Sequence, residues 1–351
     1  MSLPTRKIGQ VAVSALGYGC MGIAAFYGKP LPDEDRLKVR VLDAVYASGC
    51  TLWDTADVYA DSEDLIGKWL KRTGKRSDIF LATKFGIRSG VPGKASHGDP
   101  AYVRLSCERS LKRLGVDQID LYYFHRPDPT IPIEKTVGAM AQLISEGKVK
   151  YIGLSECSAE TLRRAHAIHP IAALQVEYSP FTLDIEDDKI GLLKTARELG
   201  TTIIAYSPLG RGLLTGKYKG PDDFDPDDFR RKIPRYSQEN FPNILKIASG
   251  LGQIGARHGA SAGQVALAWL LAQGEDVIPI PGTTNISRLD ENLGAAKITL
   301  TPEDVEEVRK VAESANATQG PRYPPLLNSV LFADTPPLEG WVPQEQPKPE
   351  A

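Results

Sequence analysis

The sequence predicts one α/β domain, a closed (β/α)8 TIM barrel of eight parallel strands surrounded by helices, and three observations predict it. Eight short apolar runs alternate with helix-like runs along most of the 351 residues. The runs are apolar on both faces, as in parallel strands that helices cover. The alternation has no break, which favours a closed barrel over its rival, a doubly wound open sheet.

Each expected strand is a short apolar run, and each expected helix carries apolar residues on one face. The strands lie near 15–21 and over 51–54, 79–84, 119–124, 151–155, 174–178, 202–206 and 277–280. The helices span 33–48, 62–71, 100–114, 133–146, 158–168, 187–199 and 261–271, and several end at a glycine such as Gly115, Gly147 or Gly200.

Three segments lie outside the repeat. Residues 6–14 are expected to form an opening β-hairpin, and residues 217–243 a long loop after the seventh strand. Because that loop exceeds an ordinary connection, it is expected to be functional or mobile. The barrel is expected to occupy residues 1–315, followed by a Pro-rich tail, 316–351, that is partly docked near the active-site mouth and disordered at its end.

Composition excludes several classes of function. Lysine plus arginine number 42 against 44 acids, a net charge of −2, so neither nucleic acid nor an anionic membrane is an expected partner. The amino terminus lacks a secretory pattern, and the best apolar run, 264–272, is too short to cross a bilayer. The scattered cysteines (Cys20, Cys50, Cys107 and Cys157) suggest free thiols, so a cytoplasmic location is expected.

Two motifs are not expected to have the function that their patterns indicate. Residues 17–22 read G-x-G-x-x-G, but the dinucleotide motif requires a helix to open in this loop, and Gly28 and Pro30 oppose one. We therefore expect a tight turn at the end of the first strand. His166 and His169 are spaced to share a helix face, but no third ligand accompanies them, so no metal site is expected.

Polar residues follow the carboxyl ends of successive strands, where barrel enzymes place their reactive groups. In strand order they are Asp54 and Tyr59, Lys84, His125, Ser155 and Glu156, Gln175, and Tyr206, Ser207 and Pro208. Because these ends meet at one rim, the side chains are expected to converge there. Each residue alone has an ordinary structural explanation as a helix cap, a surface charge or a polar edge residue.

Together, an Asp, a Tyr, a Lys and a His suit the reduction of a carbonyl group. The developing alkoxide needs a proton, and a tyrosine with a pKa near 10 is a weak donor unless a nearby cation lowers that value. A carboxylate keeps a buried lysine charged, and an imidazole can hold the carbonyl oxygen while charge builds there. No side chain supplies a hydride, so a cofactor must do so.

These motifs resemble the aldo-keto reductase superfamily. The resemblance rests on residues 52–59, 82–84, 122–125, 153–155, 174–179, 205–209 and 280–284, and it covers roughly 7–313. Within the superfamily the chain is most similar to the fungal-like branch of pyridoxal and aryl-aldehyde reductases, which is related to potassium-channel β subunits. The resemblance implies a barrel enzyme that reduces a small aldehyde or ketone with NADPH.

The resemblance also implies residue roles. Tyr59 would be the general acid, Lys84 the group that tunes its pKa, Asp54 the partner of the lysine, and His125 the residue that orients the carbonyl. Ser155 and Gln175 would hold the nicotinamide carboxamide. The implied cofactor contacts are Gly19, Cys20, Met21, Asp54, Ser155, Glu156, Gln175, Tyr206, Ser207, Pro208, Leu209, Gly210, Arg211, Gly212, Gly282, Thr283, Thr284, Arg288, Glu291 and Asn292.

The sequence departs from the family pattern at two positions. Many members carry Asn beside the carboxamide-binding serine, where this chain has Glu156. Many also place Lys before the phosphate-binding Ser or Thr, where this chain has Gly282, which leaves Arg288 as the chief reader of a 2′-phosphate. Arg288 begins an expected helix over 287–293, although it could instead pair with Asp290 or Glu291 on the surface.

Two other functions remain open at this stage. A cofactor-sensing regulatory binding module, as in the channel subunits, would keep the same four residues. A barrel hydrolase would need a paired-carboxylate, metal or nucleophile set, and none stands out. The physiological substrate, the direction of the reaction and the choice between monomer and homo-oligomer are also open.

Overall fold

A hairpin opens the chain. The computed structural model describes residues 3–24, 34–87 and 96–342. Strands β1 (Thr5–Ile8) and β2 (Val11–Ser14) pair antiparallel, with Thr5 opposite Ser14. The hairpin predicted over 6–14 is therefore confirmed.

Eight parallel strands follow and close into a barrel. They are β3 (Tyr18–Gly19), β4 (Leu52–Asp54), β5 (Phe80–Phe85), β6 (Ile119–Phe124), β7 (Val149–Ser155), β8 (Ala173–Glu177), β9 (Thr202–Tyr206) and β10 (Val277–Pro279). Each pairs with the next in sequence. At the seam the Gly17 N–H donates to the Pro279 carbonyl at 3.0 Å, and the Gly19 N–H to the Pro281 carbonyl at 3.1 Å. These bonds join the first strand to the last, so the barrel is confirmed and the open sheet is wrong.

The helices lie between and after the strands. They are α1 (Glu34–Ala47), α2 (Ser62–Thr73), α3 (Pro100–Leu114), α4 (Ile133–Ser145), α5 (Ala159–Ile168), α6 (Leu192–Glu198), α7 (Phe241–His258), α8 (Ala262–Ala272), α9 (Ile286–Gly294), α10 (Pro302–Ser314) and α11 (Pro325–Asn328). Of the helices described, none has the length and apolar character that crossing a membrane requires. All four cysteines are free and buried.

Four helices differ from the predictions: α6 begins late, and α7, α10 and α11 were not predicted. The helix predicted over 187–199 begins only at Leu192, because Asp187 caps a turn through the Lys189 N–H and Gly191 adopts a left-handed φ of 60°. The sequence patterns did not predict α7, which contains Gly250, Gly252 and Gly255. A Cβ on Gly250 would lie 2.5 Å from the Val311 side chain, so the glycine permits close packing on α10. Tertiary packing here overrides weak helix propensity.

The barrel interior is filled with apolar side chains and plugged at its amino end. Ile8 and Val13 of the hairpin join the interior cluster that contains Leu52, Phe80 and Ile278. The Thr202 hydroxyl, at the start of β9, donates to a hairpin carbonyl at 3.0 Å. The hairpin thus covers the strand amino ends and leaves the carboxyl ends for a site.

The long loop after β9 is confirmed and is highly structured. It contains three 3₁₀ turns, Pro221–Asp223, Phe229–Lys232 and Pro234–Tyr236, before α7 begins. Arg230 pairs with Asp228 at 2.6 Å and donates to the Arg211 carbonyl at 3.0 Å. These bonds attach the loop to the segment that directly follows β9.

The chain after α10 crosses the carboxyl face of the barrel. We name residues 317–342 the C-terminal segment. Its Ala333 exchanges backbone hydrogen bonds with Glu156 (3.2 Å) and Ser158 (3.1 Å) beside the end of β7, and Trp341 donates to the Thr130 carbonyl at 2.9 Å. The domain boundary at 315 stays a prediction. The stretch after Trp341, predicted to be disordered, lies outside the described residues except for Val342.

The G-x-G-x-x-G motif does not open an α-helix within residues 17–24. Cys20–Ile23 forms a single 3₁₀ turn directly after β3. The motif therefore lacks the α-helix N-terminus that holds a pyrophosphate in an open dinucleotide-binding sheet.

Candidate active site

The four residues predicted to be catalytic meet at the carboxyl ends of three neighbouring strands. Asp54 ends β4, Lys84 lies near the end of β5, and His125 directly follows β6. Tyr59 lies on the loop between β4 and α2. The consecutive strand order explains why residues so far apart in sequence become neighbours.

Lys84 and Asp54 form a buried ion pair. Lys84 is fully buried, its Nζ donates to Asp54 Oδ1, and it also donates to the Thr55 carbonyl at 2.7 Å. Gln175 Nε2 donates to the other Asp54 oxygen at 2.8 Å. Burial raises the pKa of the Asp54 carboxyl, while the Lys84 ammonium opposes that rise. The pair fixes a cation below the rim of the barrel.

Tyr59 and His125 face this cation. The Lys84 Nζ lies 5.2 Å from the centre of the Tyr59 ring, within the range of a cation–π contact. The Tyr59 and His125 rings meet edge to face, with centres 5.9 Å apart. The structure therefore brings all four residues into one cluster.

Tyr59 is in the protonated form that a general acid requires. Burial raises the pKa of the Tyr59 phenol well above its ordinary value, and the Asp54 carboxylate raises it further. Arg126 lowers this pKa, but burial and Asp54 outweigh it. The role of Lys84 in tuning the Tyr59 pKa stays a prediction. The phenol is neutral, which is the form that can donate a proton.

His125 is also neutral. Burial lowers the pKa of the His125 imidazole well below its ordinary value, and the cations of Arg126 and Lys84 lower it further. Its backbone N–H donates to the Phe85 carbonyl at 2.8 Å, and its buried Nδ1 has no hydrogen-bond partner among the described residues. A neutral imidazole can still donate one hydrogen bond to a carbonyl oxygen.

The ends of β7, β8 and β9 supply a second cluster. The Ser155 hydroxyl accepts from Arg126 at 3.0 Å, and Ser155 is opposite Gln175 in the sheet. The Tyr206 hydroxyl donates to Glu156 Oε1 at 2.8 Å and lies 3.2 Å from the Tyr323 hydroxyl of the C-terminal segment. Three of the expected nicotinamide contacts, Ser155, Gln175 and Tyr206, are therefore adjacent.

Glu156 has partners that the sequence did not reveal. Burial opposes its ionisation, yet Arg322 and Arg126 hold the pKa of Glu156 below its ordinary value. Arg322 binds both carboxylate oxygens, at 3.3 and 2.7 Å, and the Glu177 N–H donates to one of them at 3.0 Å. Both Glu156 oxygens therefore bond to groups of the protein itself, whereas the side-chain amide of an Asn could bond to the nicotinamide carboxamide.

The segment after β9 is a tight left-handed turn. Ser207, Gly210, Arg211 and Gly212 all have positive φ, from 50° to 93°. The Gly210 N–H donates to the Ser207 carbonyl at 2.8 Å, and the Gly212 N–H donates to the Leu209 carbonyl at 3.0 Å. The glycines leave the backbone open to close approach by a ligand. The Arg211 guanidinium donates to the Tyr236 hydroxyl at 2.8 Å and to Glu177 at 3.3 Å. Pro208 and Leu209 lie within the same turn.

Gly19 and Gly282 make a close backbone approach at the barrel seam. A Cβ on Gly282 would lie 2.4 Å from the Gly19 carbonyl oxygen, closer than any side chain allows. In this chain the contact leaves no room for a side chain at position 282. Cys20 and Met21 follow Gly19 in a 3₁₀ turn, and the Tyr18 hydroxyl donates to the Thr283 carbonyl at 2.6 Å.

Arg288 lies at the beginning of α9. Asn285 caps this helix by accepting from the Arg288 N–H at 3.0 Å. The Arg288 side chain is exposed, and it forms no ion pair with any residue that the structure describes. Glu291 instead accepts from the Ser261 hydroxyl. The alternative pairing of Arg288 with Asp290 or Glu291 is therefore not observed. Asn292 is buried on the same helix, and Thr284 is exposed before it.

Comparison with known proteins identifies the family. The chain matches the aldo/keto reductase family over residues 15–313. The chain belongs to the aldo/keto reductase family. It is 65% identical over 321 residues to the aldo-keto reductase str7 of Strobilurus tenacellus, covering 90% of this chain and 94% of that protein. It is 49% identical over 342 residues to the aldo-keto reductase yakc [NADP(+)] of Schizosaccharomyces pombe, covering 96% and 99%.

A solved structure supports the fold of this aldo-keto reductase. The glycerol dehydrogenase AKR11B4 from Gluconobacter oxydans superposes with a TM-score of 0.80 at 29% identity, over 90% of this chain and 97% of that one. Family membership makes this aldo-keto reductase an oxidoreductase that acts on carbonyl compounds.

Sequence reasoning missed two residues of the second cluster, Arg322 and Tyr323. Both lie in the Pro-rich tail, where neither a regular spacing of apolar residues nor a sequence motif indicates a function for them. The available signal was Glu156 itself, since a carboxylate directly after a buried strand needs a cationic partner. The sequence cannot say which of the 42 lysines and arginines in this aldo-keto reductase supplies it.

Proposed function

We propose that this enzyme reduces an aldehyde or ketone to the alcohol with NADPH, and that Tyr59 is the general acid. The observation that carries the proposal is the convergence of Tyr59, His125 and the buried Lys84–Asp54 pair at one point of the rim. A neutral phenol beside a neutral imidazole can protonate and orient a carbonyl oxygen without a change in the charge of either group beforehand.

NADP(H) is the proposed cofactor. The relative in Schizosaccharomyces pombe carries NADP(+) in its name. The residues of this chain fit such a cofactor, because the glycines of the left-handed turn 207–212 let a pyrophosphate approach the backbone and the exposed Arg288, near a helix N-terminus, suits a 2′-phosphate. Gly19, Cys20, Met21, Gly282, Thr283 and Thr284 would border the cofactor between these two points.

Each active-site residue has a proposed task. The reduced nicotinamide, when bound, supplies the hydride. The Tyr59 hydroxyl donates the proton that the carbonyl oxygen accepts, and His125 donates a hydrogen bond that holds this oxygen. Lys84 places positive charge below Tyr59 and stabilises the phenolate that remains, while Asp54 and Gln175 hold the lysine and each other in place.

The second cluster would hold the nicotinamide. Ser155 and Gln175 would bind its carboxamide, and the Tyr206 ring would stack on it. Glu156 would act by fixing the Tyr206 hydroxyl rather than by touching the cofactor, since its oxygens already have protein partners. No observation favours the alternative of a cofactor-sensing regulatory module.

The proposed function is tested with a panel of aliphatic and aromatic aldehydes and ketones. The loss of reduced-nicotinamide absorbance is followed with NADPH and, separately, with NADH. We expect turnover of several members with NADPH at a higher kcat/KM than with NADH. Cofactor binding without turnover of any carbonyl would refute the proposed enzyme function.

A further inference from the structure

The buried carboxylates of the two clusters at the rim are paired with cations. Three carboxylates lie there, and each has its own cation: Asp54 pairs with Lys84, Glu156 with Arg322, and Glu177 with Arg211. These pairs satisfy the carboxylates of the two clusters. A fourth cation, Arg126, lies among them and is 6% exposed.

Arg126 has only neutral hydrogen-bond partners among the described residues. Its Nη1 donates to the His125 carbonyl at 2.7 Å and to the Ser155 hydroxyl at 3.0 Å. Its buried Nε has no partner within that part of the chain, and no ion pair formed there includes it. Glu156 acts on Arg126 only through space, because Arg322, Tyr206 and the Glu177 N–H occupy its oxygens.

Burial opposes the Arg126 charge, but Tyr206 and Glu156 hold the Arg126 pKa above its ordinary value through space. The lost hydration is only partly replaced, because the Nε proton has no partner among the described residues. A ligand that brings a carboxylate replaces more of it through a charge-assisted, potentially bidentate contact. Arg126 directly follows His125, and its guanidinium lies 5.9 Å from the centre of the Tyr206 ring. It is therefore placed between the proposed site of the carbonyl oxygen and the proposed site of the nicotinamide.

We propose that Arg126 binds the carboxylate of the substrate and that the substrates of this enzyme include 2-oxo acids. In a 2-oxo acid the carboxylate is bonded directly to the reacting carbonyl carbon. The carbonyl oxygen can then meet Tyr59 and His125 while the carboxylate meets Arg126. The inference rests on the proposed reductase function and extends it to a substrate class.

The reaction balances as an ordinary reduction. The carbonyl carbon accepts the hydride that NADPH supplies, and the carbon–oxygen double bond becomes a single bond. The carbonyl oxygen accepts the Tyr59 proton, and solvent returns a proton to Tyr59. One 2-oxo acid, one NADPH and one proton give one 2-hydroxy acid and one NADP+, while the carboxylate stays ionised against Arg126 throughout.

The test compares phenylglyoxylate with its methyl ester, which keeps the ketone and removes the negative charge. Wild type is expected to have the higher kcat/KM for the acid. In Arg126→Met the ratio of acid to ester kcat/KM is expected to fall about 10- to 100-fold, the range for a lost hydrogen bond to a charged group. Arg126→Lys keeps the positive charge but loses the two parallel N–H groups of the guanidinium. Its acid-to-ester ratio is therefore expected to lie between those of the wild type and Arg126→Met.

The matched control is Arg104→Met, which removes an arginine from α3 that pairs with Glu146 and is 43% exposed. The control is expected to leave the acid-to-ester ratio unchanged. A second readout is the dissociation constant of oxamate, a 2-oxo acid analogue that is not reduced, from the NADP+ complex, measured by calorimetry. Oxamate is expected to bind wild type and to bind Arg126→Met at least 10-fold more weakly.

Three outcomes overturn the inference. In the first, the wild type reduces the ester but not the acid. In the second, Arg126→Met leaves the acid-to-ester ratio of kcat/KM unchanged. In the third, Arg126→Met binds NADPH more weakly and loses kcat/KM equally for both substrates. The last would assign Arg126 to the nicotinamide carboxamide. A wild type that turns over no carbonyl at all would instead refute the proposed function, so the two failures are distinguishable.

Discussion

At the scale of single residues, the site depends on two neutral groups beside a paired cation. His125 is kept neutral by burial and by the neighbouring cations of Arg126 and Lys84. This state has a consequence for stability, because a group that binds a proton in the unfolded chain but not in the folded one makes folding pH-dependent.

The first prediction concerns this pH dependence. The pKa of His125 is lowered on folding, so between the folded pKa and about 6.5 the unfolded chain binds a proton that the folded chain does not. The free energy of unfolding should therefore fall as the pH drops below about 6.5, by up to about 1.4 kcal/mol per pH unit from this group. Urea unfolding across this range should show a shallower slope in His125→Asn; equal slopes would contradict a neutral His125.

The second prediction concerns Arg288. Its exposed guanidinium has no ion-pair partner among the described residues and lies in the first turn of α9. In Arg288→Ala, NADPH binding should weaken by about 1.5–3 kcal/mol, while NADH binding barely changes, because only NADPH carries the 2′-phosphate. Fluorescence titration with both cofactors checks this, and an equal loss for both would show that Arg288 does not bind the phosphate.

At the scale of elements, α3 holds the loop that carries Tyr59. Arg113, in the last turn of α3, donates to the carbonyls of Asp57 (3.0 Å) and Ala60, on either side of Tyr59. It also pairs with Glu63 at 3.1 Å and Asp64 at 2.9 Å, at the start of α2. Ala60 has a φ of 42°, a strained value for a residue with a side chain. Arg113 therefore stabilises the loop conformation that presents Tyr59.

The third prediction follows from this arrangement. In Arg113→Met the Tyr59 loop should relax, so kcat should fall by about 10- to 100-fold, the cost of a small misplacement of a reacting group. The KM for NADPH should change little, because the segments proposed to bind the cofactor lie elsewhere. Steady-state kinetics separate the two effects, with Arg104→Met from the same helix as control. A KM effect without a kcat effect would contradict a positioning role.

Element boundaries also show what a sequence can predict here. The spacing of apolar residues and the glycines that end elements were sufficient to predict the bounds of α3, β6 and β9. They were insufficient for α7, whose glycines lower helix propensity although Ile244, Leu251 and neighbouring side chains bury one face. Strand order then places Asp54, Lys84 and His125 together without further information, since consecutive parallel strands share one rim.

At the scale of the whole molecule, the C-terminal segment completes the second cluster. Arg322 reaches across 166 positions of sequence to Glu156, and the Tyr323 hydroxyl contacts that of Tyr206. Such contacts depend on the path by which the C-terminal segment crosses the barrel. Neither the spacing of apolar residues nor a sequence motif predicts that path. This explains why the convergence of the four residues proposed to be catalytic could be predicted from sequence, whereas the buried partner of Glu156 could not.

The fourth prediction tests this pair. Arg322→Met leaves the Glu156 carboxylate buried without its cation, so the free energy of unfolding should fall by about 3–5 kcal/mol. Adding Glu156→Gln should recover much of the loss, because the unpaired charge is removed. Urea unfolding measures both, and Arg163→Met, which removes an exposed pair with Glu198, should change stability little. Additive losses in the double variant would contradict the coupling.

The central claim, that Tyr59 donates the proton in carbonyl reduction, is tested most directly by single-turnover kinetics of Tyr59→Phe with bound NADPH and an aldehyde that the wild type reduces. The hydride-transfer rate should fall about 10²- to 10⁴-fold with an unchanged NADPH dissociation constant. Tyr122→Phe, whose ring stacks on Phe85 in the core, should keep most of the rate. A wild-type rate in Tyr59→Phe, with a deuteride isotope effect showing that hydride transfer limits it, would contradict the claim.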